Sequence, residues 1–344
     1  MDSLTETGRS PITYSPAHTL VPTYECFNRC TYCNFRQNPG ESPWIDLTLV
    51  QETLVDLHRR GVAEVLVLSG EVAPHSPRRA AWFHHIYRLC ELALEAGLLP
   101  HTNAGPLSRE EMAQLRQVNV SMGLMVEQIT PRLLETVHRH APSKRPAVRL
   151  QQLAWAGELG IPFTTGLLLG LGETEADWAD SLGAIAASHQ RHGHIQEVIL
   201  QPHRPGERQS VKGSALVGTA LRRAVTLARQ ILPPDITLQI PPNLVSRDDL
   251  LACLAAGVRD LGGLSPLDEV NPDYDHPTAE ALQRLIRPGG WSLQPRLPVY
   301  PQYDGWLSPS LQRLVQDWRQ RGQDSVAKSN KHLDFSRNRP DPRP

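Results

Sequence analysis

The stretch FTTGLLLGLGETEAD, residues 163 to 177, decides the fold because it joins a buried strand directly to a helix. Its first part, 163–170, is an apolar run of the length typical of a strand inside a sheet. Glycines then permit a tight turn, and Glu173 and Thr174 open a helix as acidic and capping residues. A strand that leads so directly into a helix is typical of a parallel α/β sheet.

The same unit recurs along the chain from about residue 18 to residue 260. Short apolar runs alternate with amphipathic segments such as 46–60, 78–97 and 108–118, in which apolar side chains return every three to four positions. Strand and helix therefore take turns, which predicts a parallel sheet. The sequence predicts strands at 18–24, 64–69, 98–103, 121–127, 163–170, 197–201 and 236–240.

The number of units favours a closed barrel over an open sheet. About six to eight units in about 300 residues suit an α/β fold of the (β/α) TIM-type barrel, and no glycine fingerprint for dinucleotides follows the first strand. Functional residues of such a barrel lie where strands end. We expect an N-terminal extension at 1–17, the barrel at 18–265, a C-terminal segment packing on it at 266–321, and a disordered tail at 322–344.

Composition excludes several classes of function. The 35 basic and 36 acidic side chains leave a formal charge of −1, without the basic field that nucleic acid attracts. The most hydrophobic run, 161–172, is too short to cross a bilayer, and the N-terminus has no apolar targeting segment. An odd total of five cysteines suits a reducing compartment, so we expect a cytoplasmic protein without membrane or nucleic-acid partners.

Three of the cysteines, Cys26, Cys30 and Cys33, follow the first predicted strand with the spacing C-x3-C-x2-C. No fourth cysteine is near, whereas zinc sites usually draw four ligands from two pairs. An iron–sulfur cubane held by three thiolates leaves one iron free for an outside ligand. The spacing favours such a cluster; the alternative is a zinc-stabilised binding module, with a histidine such as His18 as a further ligand. Isolated Cys90 and Cys253 are predicted to be small buried side chains.

Polar residues also follow the other predicted strands. Glu71 places a carboxylate where a positively charged group could be held, and backbone near Gly70 can approach a ligand closely. Glu127 closes an apolar strand and needs a partner such as a ribose hydroxyl or an amino group. The candidates at strand ends are Ser69, Gly70, Glu71, His101, Thr102, Asn103, Glu127, Gln201 and His203.

These motifs resemble those of radical S-adenosylmethionine (SAM) enzymes. The cysteine spacing, with Tyr32 before the last cysteine, is similar to the superfamily signature, and the triplet at 69–71 resembles its GGE element. A longer ordered series over about 18–303 resembles one family, the radical SAM subunit (CofG) of 7,8-didemethyl-8-hydroxy-5-deazariboflavin (FO) synthase. The stretches that carry this resemblance are CFNRCTYCNF, SGEVAP, PHTNAG, NVSMGLMVE, IPFTTGLLLGLGET, HGHIQEVILQ, AGVRDLGGLSPLDEVNP and RLPVYPQY.

The resemblance implies two cofactors, a [4Fe-4S] cluster and SAM. It implies that Cys26, Cys30 and Cys33 bind the cluster, and that SAM chelates the free iron and yields a 5′-deoxyadenosyl radical. The SAM contacts that it implies are Tyr32, Ser69, Gly70, Glu71, Asn103, Glu127, Arg139 and Leu171.

The resemblance also implies the reaction. The substrate would be 5-amino-5-(4-hydroxybenzyl)-6-(D-ribitylimino)-5,6-dihydrouracil, supplied by a companion radical SAM subunit (CofH), and an external donor would supply the electron. Hydrogen abstraction, ring closure and loss of ammonia would then give FO. The substrate contacts that it implies are His101, Thr102, Thr165, Gln201, Asp260 and Ser265.

Some positions depart from the family pattern. The chain has HTNAG in place of HTNPG, HRHAPSK in place of HRGSPGK, and LQPH in place of VQNF. Roles carried over to 140–143 and to Pro202 are therefore open, while Arg139, Lys144 and Gln201 keep the expected residue type. The alternatives among enzymes are the companion subunit itself and another radical SAM enzyme of the biotin-synthase-like group.

Overall fold

The fold is an α/β barrel of parallel strands, seen in a computed structural model that describes residues 9–209, 215–265 and 267–331. Strands β1 to β8 pair in order, and β8 pairs with β1 to close the barrel. All the pairings are parallel, and β9 joins the sheet beside the first half of β1. The strands are β1 Ile12–Leu20, β2 Glu64–Leu68, β3 Leu99–Asn103, β4 Ser121–Gly123, β5 Phe163–Leu169, β6 Ile195–Pro202, β7 Thr237–Gln239, β8 Asp260–Leu264 and β9 Leu293–Pro295.

Helices connect the successive strands and bury their apolar faces against the barrel. Helix α6 illustrates the local causes: Thr174 and Asp177 form a capping box at its start, and Gly193 ends it in the left-handed conformation. None of the helices in the described ranges combines the length and the apolar character that crossing a membrane requires. The helices are α1 Leu47–Arg59, α2 Arg79–Glu95, α3 Arg109–Leu115, α4 Arg132–Glu135, α5 Pro146–Glu158, α6 Glu175–His192, α7 Gly218–Ile231, α8 Arg247–Ala256, α9 Ala279–Ile286 and α10 Pro309–Lys331.

The barrel prediction is confirmed, with corrections to individual elements. Strand β1 begins at Ile12 rather than at residue 18, because its first residues pair with β9. The expected extension at 1–17 therefore overlaps the first strand. Helix α10 continues to Lys331, into the expected tail at 322–344, of which residues 332–344 lie outside the described ranges.

Strand β8 was missing from the predicted set because its glycines are typical of a turn. Gly262 has a φ of 76°, and a β-carbon there would lie 2.3 Å from the side-chain amide of Gln239 on β7. Glycine is therefore the residue that lets the Gln239 side chain cross the backbone of β8.

The C-terminal segment closes the base of the barrel, where the strands begin. Arg296 donates from Nε to Asp260 Oδ2 at 2.6 Å and from Nη2 to Glu197 Oε1 at 2.9 Å; both carboxyl groups are buried, and the Arg296 side chain is 12% exposed. Burial opposes the ionisation of Asp260, but the Arg296 guanidinium outweighs it and lowers the pKa of that carboxyl. Burial raises the pKa of Glu197 well above its ordinary value. The base therefore holds a buried cation between two carboxyl groups.

Replacing Arg296 tests this closure. Arg296→Met leaves Asp260 and Glu197 buried without their cation, and loss of one partner of a buried ion pair costs about 3–5 kcal/mol. We expect that decrease in the free energy of unfolding, measured by urea denaturation. The matched control is Arg223→Met, whose exposed pair with Glu175 should contribute less than about 1 kcal/mol. Equal effects of the two substitutions would contradict the account.

Candidate active site

Two adjoining cavities lie at the carboxyl ends of the strands. The cysteine cavity, about 220 Å³, is lined by the three clustered cysteines and by Glu71, Glu127 and Arg149. The lumen cavity, about 190 Å³, runs down the barrel axis to Glu64 and Glu197. A ligand in one cavity would therefore lie next to a ligand in the other. The residues that line both cavities are Leu68, Asn103, Leu124, Met125, Gln201 and Val270.

The loop after β1 brings Cys26, Cys30 and Cys33 to the cysteine cavity. Glu25 fixes the loop, because its buried carboxylate accepts from the N–H of Gly40 at 2.8 Å and pairs with Arg78. The N–H of Cys26 donates to the carbonyl of Gln37 at 3.1 Å, and the N–H of Cys33 donates to the carbonyl of Cys30 at 3.3 Å. These bonds shape the segment into turns that direct three thiols into one cavity.

The environment of the thiols is poorly solvated. Burial raises the pKa of Cys26 to about 11, with a further contribution from the Glu71 carboxylate. Burial raises the pKa of Cys30 to about 12. Both groups are thiols at neutral pH in the absence of a bound cation, and a metal must displace their protons to bind.

Glu71 is already held by two partners in the cysteine cavity. Its Oε1 accepts from Nη2 of buried Arg149 at 2.9 Å, and its Oε2 accepts from Nδ2 of Asn28 at 2.8 Å. Asn28 lies between the first two cysteines, so the carboxylate connects β2 to the cysteine loop. Ser69 and Gly70 also line the cavity, with the Ser69 hydroxyl donating to the Gly70 carbonyl.

Glu127 adopts an uncommon backbone conformation at the same cavity. Its φ of 67° is the one positive value among the non-glycine residues that the structure describes. The carboxylate forms a buried ion pair with Lys144, and burial opposes ionisation while the Lys144 ammonium prevails and lowers the pKa of Glu127. A strained non-glycine residue that carries a buried charge is typical of a functional site.

The lumen cavity receives side chains from alternate positions of the strands. His101 and Asn103 on β3 point inward, as do Thr164 on β5 and Gln201 on β6. Ser265, just after β8, lines the mouth of the cavity. Asn103, a predicted SAM contact, and His101, Gln201 and Ser265, predicted substrate contacts, therefore line one cavity.

Strand alternation turns two predicted substrate residues away from the lumen. Thr102 Oγ1 donates to Asn119 Oδ1 at 2.7 Å, away from the lumen. Thr165 Oγ1 donates to the carbonyl of Leu124 at 2.7 Å and is fully buried. Because neighbouring residues of a strand face opposite sides, the inward positions belong to His101 and Thr164.

Three other predicted residues lie outside both linings. Asp260 is at the start of β8, at the base of the barrel, because the segment expected to be a turn is a strand. Arg139 is exposed, in a turn where its N–H donates to the carbonyl of Thr136. The N–H of Leu171 donates to Glu173 Oε2 at 2.7 Å, and its side chain packs beside Leu168.

Sequence reasoning missed several groups that line the cavities. Arg149 lies on α5 and reads as an ordinary surface residue of a helix, so no pattern singled it out. Asn28 lies inside the cysteine motif, and this position could have indicated that its side chain faces the same cavity. Glu64 lies at the start of β2, at the end of the barrel opposite the predicted site, and nothing in its sequence context indicates a role. Cys90 and Cys253 are fully buried, as predicted, and His18 is absent from the lining of the cysteine cavity.

Comparison with known proteins gives a family match and many close relatives. Residues 20–185 match the model of the radical SAM superfamily. The chain is 63% identical over 309 residues to 7,8-didemethyl-8-hydroxy-5-deazariboflavin synthase of Trichormus variabilis, covering 90% of this chain and 91% of the relative. It is 59% identical over 322 residues to the synthase of the same name from Synechococcus elongatus, covering 92% and 96%.

Solved structures share the fold at low sequence identity. HydG, a maturase of the [FeFe]-hydrogenase, has a TM-score of 0.70 at 16% identity, covering 90% of this chain and 69% of that one. Methylornithine synthase (PylB) has a TM-score of 0.67 at 15% identity, covering 88% of each chain. At these identities the likeness concerns the fold alone.

Gly70 provides a test of how the site is assembled. A β-carbon at Gly70 would lie 2.2 Å from the carbonyl oxygen of Glu25, which is backbone and must shift. We expect Gly70→Ala to lower the free energy of unfolding by about 1–3 kcal/mol, the usual cost of overpacking. The control is Gly183→Ala, in the interior of α6, where an added β-carbon meets nothing within 4 Å. Equal free energies of unfolding for Gly70→Ala and Gly183→Ala, measured by urea denaturation, would contradict this expectation.

Proposed function

The chain belongs to the 7,8-didemethyl-8-hydroxy-5-deazariboflavin synthase family of radical SAM enzymes, and we propose that it forms FO from 5-amino-5-(4-hydroxybenzyl)-6-(D-ribitylimino)-5,6-dihydrouracil. Ammonia, 5′-deoxyadenosine and methionine are the other products. The observation that carries this function is the 63% identity over nine-tenths of the chain to a synthase of that name. Its cofactors are a [4Fe-4S] cluster and SAM.

Cys26, Cys30 and Cys33 are the proposed cluster ligands. Within the described ranges, no three His, Cys, Asp or Glu side chains are arranged to bind one metal ion. A cubane binds each thiolate through a different iron, so its ligands need only face one cavity, as these three do. The residues present therefore fit the cluster. When bound and reduced, the cluster supplies the electron that cleaves SAM to methionine and a 5′-deoxyadenosyl radical.

The cysteine cavity also suits the charges of SAM. SAM carries a carboxylate, an ammonium and a sulfonium, and the cavity offers both signs through Arg149 with Glu71 and Lys144 with Glu127. Opposite charges that are fixed in advance in a buried site orient such a ligand without reorganisation. The proposed SAM contacts are Tyr32, Ser69, Gly70, Glu71, Asn103, Glu127, Lys144 and Arg149.

The lumen cavity is the proposed substrate site. Its wall is shared with the cysteine cavity, so the C–H bond that reacts would be held next to SAM and away from bulk water. His101, Gln201 and Ser265 are the proposed substrate contacts among the residues predicted from sequence. Gln201 lines both cavities and would contact the substrate closest to the reacting bond.

The family relationship also supports partners that the chain itself does not reveal. We infer that a companion radical SAM subunit (CofH) supplies the substrate, since the proposed substrate is itself a radical adduct. An external electron donor must reduce the cluster, and we infer a cytoplasmic location because the five cysteines suit a reducing compartment. Neither nucleic acid nor membrane is among the proposed partners.

The direct test combines anaerobically reconstituted protein, reductant, SAM and the purified adduct. The expected products are 5′-deoxyadenosine and a fluorescent deazaflavin, detected by chromatography. Deoxyadenosine without deazaflavin would keep the radical SAM class and reject the proposed product. A colourless protein that holds one zinc ion would reject both.

Substitution of one cysteine tests the ligand assignment. Cys30→Ala should lose the visible absorbance of the cluster and most of its iron, about four atoms per chain in the intact protein, because one of three thiolate ligands is missing. The matched control is Cys253→Ala, a fully buried cysteine of α8 that faces neither cavity. Iron and sulfide analysis checks both variants. Retention of the cluster and of SAM cleavage in Cys30→Ala would contradict the assignment.

A further inference from the structure

Hydrogen bonds at the base of the lumen fix which nitrogen of His101 carries its proton. The carbonyl oxygen of Pro298 can only accept, and it accepts from Ser121 Oγ at 2.7 Å. The Ser121 hydroxyl has one proton, so it must accept in its second bond, with His101 Nδ1 at 2.7 Å. His101 Nδ1 is therefore the donor, and Nε2 carries the free lone pair.

The free Nε2 of His101 faces the lumen cavity. His101 lines that cavity, and a β-carbon on Gly123, which lines it too, would lie 2.8 Å from Nε2. Burial lowers the pKa of His101 to about 3, with a smaller contribution from Arg296. The imidazole is neutral at physiological pH, so it presents a fixed acceptor to whatever occupies the lumen.

The base of the lumen is lined by polar side chains, whereas the wall shared with the cysteine cavity places four apolar side chains beside Asn103 and Gln201. Glu64, Thr164 and Glu197 lie at or near the starts of their strands and line the deep part together with His101. Leu68, Leu124 and Met125, by contrast, lie at the wall shared with the cysteine cavity. A ligand that fits this arrangement has a ring portion against the shared wall and a hydroxyl-bearing portion at the base.

The proposed substrate has this distribution, and the inference rests on that proposed function. Its reacting portion must lie at the shared wall, beside the cysteine cavity, which leaves the five-carbon ribityl chain to extend down the lumen. We propose that the base of the lumen is the ribityl subsite and that His101 Nε2 accepts a hydrogen bond from a ribityl hydroxyl. Ser121 and the Pro298 carbonyl are positioning groups, because they fix the tautomer that makes Nε2 an acceptor.

Two substitutions separate the hydrogen bond between His101 Nδ1 and Ser121 from the hydrogen bond proposed between Nε2 and the ligand. His101→Asn keeps a donor near the position of Nδ1 for Ser121 and removes the acceptor that faces the cavity. His101→Gln places an amide oxygen near the position of Nε2 and restores an acceptor. Both variants should still unfold in one cooperative thermal transition, which shows that a change in binding is not a loss of fold.

The experiment measures binding by calorimetry to cluster-loaded protein with SAM and without reductant, so that no turnover occurs. Two ligands are compared, the ribityl adduct and an analogue in which an n-pentyl chain replaces the ribityl chain. We expect His101→Asn to weaken the Kd of the ribityl adduct about 5- to 50-fold, since a buried hydroxyl loses its acceptor. The Kd of the pentyl analogue should be the same for the wild type and for His101→Asn. His101→Gln should bind the ribityl adduct with a Kd within about 3-fold of the wild-type value.

Three results would overturn the inference. The first is equal binding of the ribityl adduct by the wild type and His101→Asn, and the second is an equal loss for both ligands, which would place His101 against the ring. The third is a loss in His101→Gln as large as in His101→Asn. If the wild type neither binds nor converts the ribityl adduct, the proposed function fails and the inference fails with it. If the wild type converts the ribityl adduct and any of the three results is found, the ribityl subsite is rejected and the proposed function stands.

Discussion

The closure of eight parallel strands is the constraint on which the rest of the structure depends. Because β8 pairs with β1, the carboxyl ends of the strands meet at one rim, and segments distant in sequence become neighbours. The cysteine loop follows β1, Glu71 follows β2, Asn103 ends β3 and Glu127 follows β4. The same closure makes the lumen, which Arg296 seals at its base. Both cavities are therefore consequences of the barrel rather than of any single loop.

Charge pairing is the second feature that shapes the site. Glu71 with Arg149, and Glu127 with Lys144, are ion pairs that line the same cavity and draw on four different segments of the chain. Buried ion pairs contribute little net stability, because desolvation offsets their attraction. Their retention beside three thiols is explained by the need to orient a ligand that itself carries charges of both signs.

Patterns local in sequence predicted the fold and the cysteine centre, and they failed where contacts are distant. The apolar runs and the cysteine spacing are local, so seven of the strands and the three thiols were recognised. Strand β8 was missed because Gly262 looks like a turn until Gln239 is placed against it. Thr102 and Thr165 face away from the lumen, and the sequence of a strand does not indicate which of its two faces is inside. Arg149 was missed because the sequence of α5 does not indicate which of its side chains reach the cavity.

The central claim is that three cysteines hold an iron–sulfur cluster with one iron left for SAM. The most direct measurement is electron–nuclear double resonance of the reduced, reconstituted protein with SAM labelled with ¹⁵N at its amino group and ¹⁷O at its carboxylate. The account predicts hyperfine coupling from both labels, because the two groups bind the iron that lacks a cysteine. Absence of coupling, with a spectrum that SAM does not change, would contradict it.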